Sequence, residues 1–199
     1  MPLEVADIIL SNAIVYQAPE GTALPADTVA AGADWAGDWE RVGYTNEPLT
    51  MAYEYEIAEP DIQESMAPIK RLKISENASF ETVLAELSAD ALTLAWEGAV
   101  TTTAPGALQP GKDTYNVGGK RDLTVRAWGF EGQYESALGN IHPIRLLIYR
   151  GTATEGGELE FSKSAYTGIP LKIGALSEMD NAAGSQLFKI VKITAPATA

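Results

Sequence analysis

The sequence contains no cysteine. Disulfides, thiolate metal sites and cysteine nucleophiles are therefore excluded, and the redox compartment stays open. There is one histidine, His142. A Ser-His-Asp triad would have to use it, and no G-x-S-x-G nucleophile elbow accompanies it. His142 lies between Ile141 and Pro143 at the start of a strand-like run, where a structural role is expected. A zinc site with one histidine and no cysteine would need several carboxylates, and no ligand spacing offers them. Cations are few: 14 Lys and Arg stand against 27 Asp and Glu, a net charge of −13. So acidic a chain lacks the clustered Lys and Arg that bind phosphates by releasing counterions. No apolar run approaches the length that spans a bilayer. The opening Met1-Pro2-Leu3-Glu4-Val5-Ala6-Asp7 has no basic n-region, so no signal peptide is expected.

Two patterns come close to chemistry. Gly106 to Asp113 (GALQPGKD) has the G-x-x-x-x-G-K spacing of a phosphate loop, but Asp113 stands where Ser or Thr would hold magnesium. Pro110 removes an N–H from the cradle, and neither a strand before nor a helix after is expected. The match is a coincidence in a Gly/Pro-rich loop. Paired carboxylates could serve glycoside hydrolysis, yet no particular pair among the acids stands out. Asn77-Ala78-Ser79 matches a glycosylation acceptor, and nothing else indicates secretion. No cofactor, metal or enzyme activity is expected.

What the sequence does have is centred on Pro48 to Leu94. Met51, Tyr53, Tyr55 and Ile57 alternate with Ala52, Glu54, Glu56 and Ala58, the period-2 pattern of a strand buried on one side. A return strand is expected over Ile69 to Ile74, with Leu72 and Ile74 on one face and Arg71 and Lys73 on the other. Between them, Pro60 and Pro68 exclude a continuous ladder. A long charged loop over residues 59–68 carries Glu59, Asp61 and Glu64. A helix is expected next, capped by Ser79 and stopped near Gly98, with Phe80, Val83, Leu84, Leu87, Ala91 and Leu94 as its apolar stripe.

In order, Ala6 to Tyr16 reads as one bent strand or two short ones. Residues 17–37 read as a loop of a length that is usually functional or ordered against a partner. Trp35 and Trp39 close it, either as buried side chains or as interface aromatics. Thr101 to Gly119 reads as another extended loop. Strands are expected at Leu123 to Phe130, at Ile144 to Arg150 (apolar on both faces, hence central), at Ile169 to Leu176 and at Leu187 to Ile193. Gly129, Gly132 and Gly139 read as breaks, and Gly151 to Gly157 as a turn. Glu158 to Ser164 alternates, giving a second hairpin with an acidic face. Residues 194–199 read as a tail. The fold class expected is β-rich α+β, a sandwich or barrel with one flanking helix, in a single domain over residues 1–199.

The order of these parts resembles the major tail tube proteins of long-tailed bacteriophages. The resemblance rests on the segment Trp39-Glu40-Arg41-Val42-Gly43-Tyr44-Thr45, the long hairpin with Pro68-Ile69-Lys70, the Leu84 to Leu87 stretch and the strand at Ile169-Pro170-Leu171. It implies a virion tail component, made in the bacterial host cytoplasm, whose hexameric rings stack into a tube for DNA. Its partners would be other copies of itself and the tape measure, tail terminator and distal tail proteins. DNA would pass without specific binding, and no membrane is involved. The resemblance assigns Glu54, Glu56, Glu158 and Glu160 to the lumen, with Arg71 and Lys73 on the same hairpin's polar face offsetting some charge by cross-strand pairing. It assigns Glu59, Pro60, Asp61, Ile62, Gln63, Glu64 and Ser65 to contact with the next ring. Two other readings stay open: a soluble β-sandwich that binds carbohydrate or a receptor through its tryptophans, and a tube protein of a contractile or secretion system.

Overall fold

The computed structural model describes residues 12–60, 67–136, 139–159, 161 and 168–195. Within them the chain runs β1 (Ile14–Pro19), β2 (Glu40–Arg41), β3 (Thr50–Ala58), β4 (Leu72–Leu84), α1 (Ala89–Trp96), β5 (Ala99–Thr103), β6 (Lys112–Asn116), β7 (Arg126–Glu135), β8 (Ile141–Glu155), β9 (Ile169–Leu176) and β10 (Phe188–Lys192).

β8 is the central strand, as its two apolar faces foretold. β7 pairs along one edge of it. The other edge is shared, β10 lying against residues 144–148 and β9 against residues 150–155. The main sheet has the order β2-β1-β7-β8-β9-β4-β3. Its end members, β2 and β3, are consecutive in the chain. Val42 N–H donates to the Val15 carbonyl at 3.0 Å, while Asn46 N–H donates to the Val83 carbonyl and Ala85 N–H to the Tyr44 carbonyl, both at 2.8 Å. One run is thus tied to β1 at its start and to β4 at its end, and the sheet closes on itself. Closure removes edges that would otherwise pair at random.

The interior confirms the closure. Phe80 of β4 stacks on Phe130 of β7 with centroids 5.8 Å apart, although these strands are not neighbours. Val15, Trp128, Ile148, Leu171 and Ile173 join the same core. α1 covers it with Ala91, Leu92, Leu94 and Ala95. This is a β-rich fold with one flanking helix, as expected.

Several boundaries differ from the sequence reading. The helix does not begin at Ser79. β4 continues to Leu84 and buries Ala78, Phe80, Thr82 and Leu84 with period 2. Phe80 and Leu84 satisfy both a helical and an alternating pattern; two strands to pair with, β3 and β9, decide for the strand. Ser88 is the actual N-cap, its hydroxyl accepting from Ala91 N–H at 3.1 Å, and Leu87 of the expected stripe is half exposed. Residues 101–119 are not a plain loop, because the threonines build β5 against β6 in a separate two-stranded sheet. β7 runs straight through Gly129 and Gly132, and β8 through Gly151 to Glu155. Of the expected strand at Glu158 to Ser164, Glu158, Leu159 and Phe161 lie outside any strand, and Glu160 and residues 162–164 lie outside the described residues.

Gly129 shows what these glycines do. A Cβ there would stand 2.2 Å from Cζ3 of Trp35. The indole lies on the strand, on the outer face of the sheet, where Tyr16, Ala18, Trp35, Trp39, Ala127 and Leu147 form a second core. Residues 20–39 cover that core as a strap. The long loop is therefore ordered against the chain's own sheet.

Candidate functional site

β4 makes its last pair with β9 at Ser79 and Gly174; from Asn77 back to Leu72 its only partner among the described residues is β3. The β3–β4 hairpin thus leaves the sheet. Every residue of β4 from Leu72 to Asn77 is exposed. The cause lies in length: both strands continue past the point where the core has side chains to offer.

Register fixes which residues share a face. Met51, Tyr53 and Tyr55 lie opposite Phe80, Ala78 and Glu76, on the face that continues the core. Ala52, Glu54 and Glu56 lie opposite Ser79, Asn77 and Ser75, on the other. A bulge between Glu56 and Ile57 sets Ile57 opposite Lys73 and leaves Ile74 as the extra residue.

The core-side face does not end in a core. Met51 packs beneath Phe80, but Tyr53 and Tyr55 are 39% and 53% exposed. Tyr53 meets Phe188 edge to face at 5.9 Å, and Phe188 meets Phe80 in the same way, so an aromatic row runs from the core out along the hairpin. Lys73 lies over both tyrosine rings, 5.2 and 4.9 Å from their centroids. Its ammonium donates to Tyr53 Oη at 2.6 Å and to Glu76 Oε2 at 3.0 Å, and Tyr53 donates to Glu76 at 2.7 Å. The bonds from Tyr53 and from Lys73 hold the Glu76 carboxyl below its ordinary value, and bonds to Tyr53 and Glu76 raise Lys73.

Lys73 therefore sits on the face opposite Glu54 and Glu56. The expected cross-strand neutralisation of those acids is overturned; the bulge, which the sequence does not reveal, turns the lysine over. Arg71 pairs with Glu59 at the end of the strands, also away from Glu54 and Glu56. Glu56 accepts a neutral hydrogen bond from Ser75 Oγ at 3.1 Å. The second face thus carries two acids among serine, asparagine and alanine, with Leu72 opposite Ala58 at its far end.

Of the other expected site residues, Glu59 and Pro60 are exposed, and Asp61, Ile62, Gln63, Glu64 and Ser65 lie outside the described residues. Glu158 is exposed and belongs to no strand, and Glu160 lies outside the described residues. Trp35 and Trp39 are only 4% and 5% exposed. Trp35 stacks on Tyr16 at 4.0 Å, and Trp39 donates to the Ala23 carbonyl at 2.9 Å. They are core residues and offer no surface to a partner or a sugar.

Sequence reading took Tyr53, Tyr55 and Ile57 for core. With Ile69, Leu72 and Ile74 they form an exposed apolar hairpin. Exposed apolar side chains concentrated on one hairpin are a common feature of surfaces that meet a partner. Glu76 lies beyond the return strand expected over Ile69 to Ile74, so the sequence reading missed it. Among the described residues no group of His, Asp and Glu could hold a metal ion, and no helix is long and apolar enough to cross a membrane.

Comparison with known proteins adds the family: residues 4–198 match the family model described as Phage tail tube protein. No curated protein matches the chain.

Proposed function

From the premise that this chain belongs to the phage tail tube protein family, we propose that its copies close into hexameric rings that stack into the conduit for DNA. The protein is a structural component of a virion tail and not an enzyme. The single observation that carries the finer reading is the β3–β4 hairpin, which leaves the core with one aromatic face and one acidic face. The aromatic face, with Tyr53, Tyr55 and Ile57, packs against the neighbouring copy. The acidic face, with Glu54 and Glu56, looks into the lumen.

Each side of this division has a physical reason. Exposed tyrosine and isoleucine gain free energy when a second copy covers them, about 25 cal/mol per Å² of apolar surface. Carboxylates toward the lumen repel phosphates, so DNA slides without sticking, the inverse of a DNA-binding surface. A ring multiplies the charge of −13 by its number of copies. The hairpin end, residues 59–65, reaches the next ring. Tape measure, terminator and distal tail proteins meet the tube along its lumen and at its two ends.

The test is native mass spectrometry of the smallest assembly. A closed particle of six copies supports the ring. Open chains of variable length, or another closed number, would replace the hexamer. Tyr53→Ser combined with Tyr55→Ser should leave the protomer folded and abolish the particle.

A further inference from the structure

The β5–β6 hairpin is a part of the chain that the closed sheet does not use. Among the described residues its strands pair only with each other. Its root is fixed: Tyr115 packs against the core, and Gly98 approaches so closely that a Cβ would stand 2.9 Å from the Asn116 carbonyl oxygen. Its tip is a closed two-residue turn. Gly106 N–H donates to the Gln109 carbonyl at 2.9 Å, and Gln109 N–H donates back to the Gly106 carbonyl at 3.1 Å. Pro105 and Pro110 bracket the turn, and a Cβ on Gly111 would come within 3.1 Å of Pro105. The arm is hydrogen-bonded along its strands and again at its tip.

At that end stands Leu108. Its φ of 68° is in the left-handed region, where glycine or asparagine is usual and a leucine is strained. Its side chain is wholly exposed, at 107% of the reference value. The protomer gains nothing from this side chain, and glycine would hold the same turn without strain. An outlier of this kind points to a use outside the protomer.

The surroundings favour another copy as the occupant. No charged residue lies between Glu97 and Lys112, in a chain of net charge −13. The tip is therefore a place where two like-charged copies can touch without repulsion. The bracketing prolines have no N–H to offer, which disfavours strand addition and leaves the contact to the side chain.

We infer that the β5–β6 arm docks Leu108 into an apolar surface of a second copy of this chain, as a contact separate from the β3–β4 hairpin. The inference rests on the tube reading given above. Its test compares the wild type with Leu108→Gly, Leu108→Ser and Leu108→Met. Light scattering gives the critical concentration for assembly, and thermal unfolding reports on the protomer.

Leu108→Gly should unfold no earlier than the wild type, because the strain is gone. Its critical concentration should nevertheless rise about tenfold or more, the scale of leaving one leucine side chain unburied. Leu108→Ser should assemble as poorly, and Leu108→Met close to the wild type. If the wild type assembles and the Gly and Ser variants assemble at the same concentration, Leu108 is only a turn residue and the inference is overturned while the tube reading stands. If the wild type forms no assembly under any condition, both fall together.

Discussion

Arg145 and Glu131 face each other across β7 and β8 at 2.8 Å, with neither side chain exposed to solvent. The pair does more than join two strands. Glu131 also accepts from Gly32 N–H at 2.7 Å and from the Trp35 indole at 3.1 Å. Arg145 also donates to the carbonyls of Ala26 and Val29, at 2.9 and 2.6 Å. Two buried charges thus hold the strap of residues 20–39 onto the outer face of the sheet, and the strap's own backbone satisfies them. Breaking such a pair leaves an uncompensated charge. Glu131→Ala should lower the unfolding free energy by about 3–5 kcal/mol and shift tryptophan emission to the red as Trp35 is wetted. Urea titration followed by fluorescence reads both; near-wild-type stability would show that the strap is held by its apolar contacts alone.

Gly129→Ala tests the same strap without touching a charge. The new methyl would enter the space of the Trp35 ring, so the indole must leave Tyr16 or the strand must bend. Overpacking of this kind costs about 1–3 kcal/mol. Gly156→Ala, where a Cβ meets nothing within 4 Å, is the control and should be nearly neutral.

The end of α1 gives a pH dependence. Glu97 is the C-cap, at a φ of 54°. Its carboxylate accepts from the backbone N–H of Thr124 at 3.1 Å, from the Thr124 hydroxyl at 2.6 Å and from Lys120. Burial alone would push its pKa up, but the hydrogen bonds from Lys120 and Thr124 outweigh it and hold the group below its ordinary 4.5. A group depressed in the folded state contributes stability above its unfolded pKa and loses it as pH falls through the folded one. Glu97→Gln should therefore be less stable than the wild type at neutral pH, by about 1–3 kcal/mol. The gap should narrow as pH drops below 4.5. Thermal unfolding across pH checks this, and a gap that stays constant would contradict it.

The acidic face makes a functional prediction. Glu54→Lys with Glu56→Lys should slow DNA release from particles whose tubes look normal, because the lumen then attracts phosphates. Lys73→Glu, on the opposite face, should leave release unchanged and instead weaken assembly, since it sets a second carboxylate beside Glu76. Equal release rates for wild type and the double lysine variant would remove these acids from the lumen.

Parts of this structure were legible in the sequence for reasons that hold generally. β9 coincides with the expected Ile169–Leu176, and β8 contains the expected run Ile144 to Arg150, apolar on both faces, while extending beyond it at both ends. β4 was not legible. Phe80 and Leu84 are four apart, which suits either a helix stripe or one strand face, and only the presence of β3 and β9 on its two edges decides. Gly129 and Gly151 read as breaks because a small residue in a turn and a small residue under an indole look alike along the chain. The β3–β4 hairpin was read correctly as alternating but wrongly as half buried. Its tyrosines have the pattern of a core face, but the strands run past the core and leave Tyr53 and Tyr55 exposed.

The most direct measurement is negative-stain electron microscopy of the purified protein over a concentration series, with mass from light scattering on the same samples. Rings and hollow tubes with a lumen wide enough for duplex DNA are the predicted result, lost in the Tyr53→Ser, Tyr55→Ser variant. A wild-type protein that stays monomeric at every concentration, or forms only solid aggregates, would contradict the proposal that the projecting hairpin exists to build a tube.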